Sequence, residues 1–126
     1  MIFNKAQLGA IEHKDGAMIV LAGPGSGKTA VITHRTKNLI TKHHVKPSEI
    51  LVITFTKAAA NEMKERFNSL MKDERVNVSF GTFHAVFFTI LKYAYRFTSA
   101  NIADESVRYG FIREILSYYR LEYLSL

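Results

Sequence analysis

Apolar and polar positions change their period several times along the chain, and each change predicts an element. Residues 18–22, Met-Ile-Val-Leu-Ala, form a short continuous apolar run that ends in glycines, the pattern of a strand covered on both faces. From Lys28 the period lengthens. Val31, Ile32, Leu39 and Ile40 are placed for one face of a helix over 28–42. Lys46-Pro47-Ser48-Glu49 reads as a turn, and residues 50–55, rich in branched side chains, as the next strand. Ala59, Met63, Phe67 and Leu70 fall three or four apart and predict a helix over 57–71, with Lys64, Glu65 and Lys72 pointing elsewhere and Asp73-Glu74 at its end. Residues 76–80 alternate and predict a third strand. A helix over 83–97 follows, with Val86, Phe87, Ile90, Leu91 and Ala94 inward. After a polar break over 99–104, Val107, Phe111, Ile115 and Tyr119 mark a last amphipathic helix over 105–119.

Strand, helix, strand, helix, strand, helix is the order of a parallel sheet with right-handed crossovers, so the fold class is α/β. The length of 126 residues suits one small domain with a core, and 48% hydrophobic with 12% aromatic residues marks a folded chain. The formal net charge of +6 suits a polyanion, whether nucleic acid or ATP, without choosing between them. Cysteine is absent, which excludes a disulfide framework and fits a reducing interior. Met1-Ile2-Phe3-Asn4-Lys5 lacks the layout of a signal peptide, and the apolar stretches 18–22 and 85–91 are too short to cross a bilayer. A soluble, cytoplasmic protein without membrane contact is the expectation. His13, His34, His43, His44 and His84 have no metal-cluster spacing, and His43-His44 reads as a solvated helix end. No serine nucleophile elbow is present.

The chemistry concentrates in Ala22-Gly23-Pro24-Gly25-Ser26-Gly27-Lys28-Thr29, placed after a predicted strand and before a predicted helix. That context defines a phosphate-binding loop, or P-loop. Glycines let the backbone curl and turn its N–H groups inward, and the positive end of the following helix adds to their pull on phosphate oxygens. Lys28 reaches the β- and γ-phosphates, and the Thr29 hydroxyl ligates Mg²⁺ bound with ATP. Ala30, in the first turn, completes the loop's contacts. Ala22 stands where the usual pattern begins with glycine, a place where an ordinary backbone angle suffices. A P-loop names a nucleotide and not a reaction.

Four stretches, in order, resemble the UvrD/Rep/PcrA-like branch of superfamily 1 DNA helicases. Phe3-Asn4-Lys5-Ala6-Gln7 is similar to the family's Q motif, which implies that Gln7 reads the adenine edge. The P-loop is followed by Thr33-His34-Arg35, and the resemblance implies that Arg35 lies near the adenine, where its planar guanidinium can stack; a solvated helix arginine is the alternative. Residues 53–63 resemble motif Ia, which implies that Phe55 and Thr56 contact single-stranded DNA. Here Lys57-Ala58 replaces the family's Asn-Lys, so the lysine's role does not transfer directly, and burial of Phe55 in the sheet is the alternative to stacking. Phe80-Gly81-Thr82-Phe83-His84 resembles motif Ib, which implies a DNA-facing place for Thr82 and His84. The implied fold is a RecA-like P-loop sheet flanked by helices, incomplete in this chain. Residues 1–104 are the first part of domain 1A, and 105–126 a helix that begins subdomain 1B. The implied cofactors are ATP and Mg²⁺.

The family's Walker B strand, ending in Asp-Glu, has no match. Asp104-Glu105 follows Asn101-Ile102-Ala103, which is not a buried strand. The later motifs and the second RecA-like domain, with the arginines that stabilise transferring phosphate, are also missing, and Leu124-Ser125-Leu126 reads as a truncation. The expectation is an ATP-binding piece of a helicase acting on single-stranded DNA, partnered by the remainder of its parent and unable to unwind DNA alone. Strong DNA-stimulated ATP hydrolysis in a turnover assay would refute that expectation. The alternatives are another P-loop enzyme such as a small-molecule kinase, and a non-catalytic nucleic-acid-binding module.

Overall fold

The computed structural model describes residues 2–72 and 76–121. Asp73-Glu74 and the chain end at 124–126, both named above, lie outside the described residues. The chain divides into two compact units, Met1–Val86 and Phe87–Leu126.

The first unit is mixed α/β. Its elements are α1 (Lys5–Glu12), α2 (Lys28–Thr41), β1 (Leu51–Thr54), α3 (Lys57–Leu70) and β2 (Ser79–Thr82), and α4 (Phe83–Tyr95) starts at the end of β2. β1 and β2 are parallel, in register from Leu51 against Ser79 to Thr54 against Thr82, and α3 is the crossover between them. Phe67 on α3 is fully buried among Ile50, Met71 and Val78, with Leu39, Ile40 and Phe80 packed around that cluster. The rest of the predicted α3 face is half-buried, and Ala60 joins the buried set. Thr56 starts the helix by accepting the Ala59 N–H at 3.1 Å.

Several expectations change. Residues 18–22 are not a strand: they run as exposed coil, with Ile19 88% and Leu21 93% accessible. An apolar run becomes a buried strand only when neighbours ladder with it and layers cover it, and among the described residues β1 and β2 pair only with each other. The third predicted strand moves from 76–80 to Ser79–Thr82, because its limits follow those of β1. Val76 and Val78 pack into the core just before it. The buried residues of α2 are Thr33 and Thr36, while Val31, Ile32, Leu39 and Ile40 are half-buried. Both hydroxyls donate within the helix, Thr33 Oγ1 to the Thr29 and Ala30 carbonyls and Thr36 Oγ1 to the Ile32 carbonyl, so their burial leaves no polar group unsatisfied. His43 is half-buried rather than solvated, and His44 leaves the helix with a φ of 55°. The four long helices stop one or two residues early, α4 where Arg96 turns left-handed at a φ of 57°.

The second unit holds the rest of α4 and α5 (Glu105–Tyr118). Asp104 caps α5, accepting the Val107 N–H at 2.9 Å and the Ser106 hydroxyl at 2.7 Å. Those bonds, the Val107 one first, hold its carboxyl below the ordinary value. The expected inward faces are not inward. No residue of α4 or α5 is buried, and Phe87, Ile90, Phe111 and Ile115 are each more than half exposed. Two helices have too little surface to close a core around their own apolar faces. Among the described residues no helix is long and apolar enough to cross a membrane.

Candidate functional site

Residues 23–28 form an exposed loop that leads into α2. Gly25 and Gly27 have φ of 72° and 80°, the left-handed region where a Cβ is strained, so the curl needs glycine at both places. Gly27 is the N-cap of α2 and offers no side chain, so no side-chain cap occupies the helix's first N–H groups. A helix N-terminus left open in this way, at the positive end of the helix dipole, is suited to an anion. The Lys28 ammonium donates to the Gly23 carbonyl at 2.8 Å and to the Ala22 carbonyl at 3.5 Å, folding back over the loop. Thr29 and Ala30 follow in the first turn, half-buried.

The helix α1 supplies the opposite wall. Asn4 accepts the Gln7 N–H and the Gln7 side chain accepts the Asn4 N–H, both at 2.9 Å, a capping box that starts α1. Gln7 Nε2 then donates to the Ser26 carbonyl at 3.0 Å, joining α1 to the loop. Arg35 is not a solvated arginine. It donates to the Ala10 carbonyl at 3.0 Å and to the His13 carbonyl, and Asn38 donates to the Ile11 carbonyl at 3.1 Å, so α2 closes the last turn of α1. Between these walls lies a cleft of about 420 Å³, lined by Gln7, Ala22, Gly23, Ser26, Lys28 and Arg35 among others. That volume lies within the range of small-molecule sites.

The other predicted residues gather at the carboxyl ends of the two strands. Phe55 is 86% exposed rather than buried in the sheet, and its ring stands 5.5 Å from that of Phe83. Thr56 is spent on capping α3, and Thr82 accepts the Ala85 N–H at 3.2 Å at the start of α4. His84 is exposed beside it. Because Thr54 is in register with Thr82, the parallel pairing brings Phe55-Thr56 and Phe83-His84 to one sheet edge. Sequence reasoning missed Asn4, Asn38 and Phe83 as parts of these sites. The Asn4-x-x-Gln7 spacing was a signal for the first, since it is also a helix-capping pattern. Among the described residues no group of three or more His, Cys, Asp or Glu is placed to hold a metal ion.

The model of the UvrD/REP helicase N-terminal domain family matches residues 3–121. The chain belongs to this family. Similar proteins include the ATP-dependent DNA helicase SRS2 of Saccharomyces cerevisiae, 51% identical over 81 residues, which are 62% of this chain and 7% of that protein. The ATP-dependent DNA helicase PcrA of Bacillus subtilis is 44% identical over 89 residues, and PcrA of Staphylococcus aureus 42% over 89 residues. Each alignment covers 71% of this chain and 12% of the relative. The chain thus spans about an eighth or less of the length of these UvrD/REP-type helicases. The match to the family model runs through both clusters of predicted residues, from Gln7 to His84.

Proposed function

We propose that this chain is the ATP-binding portion of an ATP-dependent DNA helicase that moves on single-stranded DNA, built on a RecA-like P-loop sheet. Residues 1–104 belong to its first ATP-binding domain and 105–126 begin the adjoining subdomain. The observation that carries this reading is the loop 23–28, with left-handed glycines at 25 and 27, a helix N-terminus without a side-chain cap, and Gly23, Ser26 and Lys28 lining one cleft together with Gln7 and Arg35. Family membership and the helicase relatives support it.

In this reading the backbone N–H groups of Gly23, Gly25, Ser26, Gly27 and Ala30 surround the triphosphate, and Pro24, which has no N–H, fixes the backbone angle between the first two glycines. Lys28 moves off the Gly23 carbonyl onto phosphate oxygens. Gln7 and Arg35 meet the base from the other side of the cleft, and the Thr29 hydroxyl is a ligand for the Mg²⁺ that travels with ATP. The uncapped amides, the cationic side chain and the hydroxyl fit a magnesium–triphosphate group. Bound there, that ion draws charge from the phosphate oxygens and makes the terminal phosphoryl easier to attack. Turnover needs an acidic pair at a strand end, and Asp104, the first residue of the Asp-Glu pair within the described residues, is occupied in capping α5. The 126-residue chain alone therefore binds without unwinding DNA. The parent acts in the cell interior with the rest of its polypeptide as partner.

The single strand lies along the sheet edge, stacked on Phe55 beside Phe83, with Thr82 and His84 near its backbone. Stacking contributes about 1–3 kcal/mol per base, so Phe55→Ala is expected to weaken oligo-dT binding by about fivefold to a hundredfold. Binding of a fluorescent MgATP analogue is expected to stay unchanged in the same variant, since Phe55 is not part of the cleft lining. Fluorescence anisotropy at low and moderate salt reads both. Oligo-dT affinity that ignores the substitution removes Phe55 from the DNA track, and salt-independent affinity removes the phosphate contacts.

A further inference from the structure

We propose that Gln7 is a positioning residue that holds the phosphate loop in its curl through the Nε2–Ser26 bond, in addition to any contact it makes with a base. This rests on the reading of residues 23–29 as a phosphate site. The side-chain amide of Gln7 is oriented by its surroundings. Its Oε1 accepts the Asn4 N–H at 2.9 Å, which leaves Nε2 facing the loop, where it donates to the Ser26 carbonyl at 3.0 Å. Ser26 stands between Gly25 and Gly27, the two left-handed residues, where its own N–H makes only a long bond to the Gly23 carbonyl at 3.4 Å. The approach is close: a Cβ added to Gly27 would stand 3.3 Å from Gln7 Nε2, so the glycine that permits the turn also admits the amide.

The element that carries Gln7 is itself anchored. Arg35 and Asn38 of α2 hold the carbonyls of Ala10, Ile11 and His13, and the Phe3 ring meets the His34 ring edge-on at 4.7 Å. The helix α1 is thus a strut fixed at its far end to α2, with Gln7 at its near end bracing the loop that opens α2. An amide has two N–H groups and two oxygen lone pairs. One of each is used here, so one of each remains for an adenine edge. The same side chain then links base occupancy to loop geometry, and its loss weakens even a ligand that has no base.

Two variants of the full chain test this. Gln7→Glu keeps an oxygen for the Asn4 N–H, and so keeps the start of α1, but sets an acceptor against the Ser26 carbonyl. Gln7→Ala removes both contacts. Without any ligand, NMR order parameters at Gly25, Ser26 and Gly27 are expected to fall in both variants, while those of α3 stay as in the parent chain. For binding, the probe is inorganic tripolyphosphate with Mg²⁺, beside MgATP. A net hydrogen bond corresponds to about a threefold to tenfold change in affinity, and Gln7→Ala is expected to lose that much for both ligands. Unchanged loop order parameters in Gln7→Glu overturn the proposal, as does a loss confined to MgATP. If the parent chain binds neither ligand, the phosphate-site reading fails, and the ligand-free NMR comparison still decides the role of Gln7.

Discussion

Lys28→Ala is expected to abolish tight binding of MgATP while leaving the protein folded. In the free chain the Lys28 ammonium rests on the Gly23 and Ala22 carbonyls, in an exposed position at the first turn of α2. Removing it exposes two carbonyls to water, and alanine is the best helix former, so the thermal midpoint should not move. The ligand loses more. A hydrogen bond to an ionised partner is worth about 1.5–3 kcal/mol, which is about one to two orders of magnitude in affinity. The proposed role gives the loss a chemical signature, because in that reading the side chain meets the outer phosphates. Affinity for ATP and ADP should fall and affinity for AMP should not. Titration with the three nucleotides, read by calorimetry, checks this. An equal loss for AMP would place Lys28 near the base or mark a general collapse of the loop, and no loss at all would end the phosphate-loop reading.

The loop was legible in the sequence because its requirements are local. Left-handed angles at Gly25 and Gly27 demand glycine in any surroundings, and a helix N-terminus without a capping side chain follows from the same residues. The face of α3 was legible for a related reason, since one helical period carries Met63, Phe67 and Leu70 to one side whatever lies there. The run 18–22 was not legible. Its apolar composition states that it can be buried, but whether it becomes a strand depends on ladder partners elsewhere, and β1 and β2 supply none to it. The limits of β2 failed similarly, being set by the end of β1 at Thr54 rather than by alternation over 76–80. The periods of α4 and α5 define an apolar face on each, but a period does not say what covers that face, and no residue of either helix is buried.

The short helix α1 is the opposite case, a local signal that carries two meanings. Asn4-x-x-Gln7 is a capping box as well as a resemblance to the Q motif, and the cap is what turns the Gln7 amide toward Ser26. Arg35 shows how contact can replace exposure as the default for a charged side chain. Its guanidinium finds the free carbonyls at the end of α1, groups that a one-residue reading of α2 has no means to place.

Phe67→Ala is expected to have the largest effect of any single substitution in the first unit, and by a different route. Phe67 has no exposed surface, and it meets the Phe80 ring at 5.5 Å while packing on Ile50, Met71 and Val78. Cutting a buried phenylalanine to alanine costs about 3–5 kcal/mol, through lost burial and the cavity left behind. Small domains have total stabilities of about 5–15 kcal/mol, so most of the margin disappears. A loss of that size lowers the midpoint by at least about 12 °C at 4–8 °C per kcal/mol. Phe67→Leu should lie between, because most of the volume is kept. All six tyrosines lie beyond Val86, so tyrosine fluorescence reports on the second unit, and far-ultraviolet circular dichroism must be used for the first. The consequence for function follows from where Phe67 sits. It fixes α3, which begins at Thr56 beside Phe55, and it contacts β2, which ends at Thr82 before His84. Phe67→Ala should therefore lose oligo-dT binding together with its fold, whereas Phe55→Ala loses the binding alone. A native-like melting curve for Phe67→Ala would mean that this aromatic cluster is not the core that brings the two strand ends to one edge.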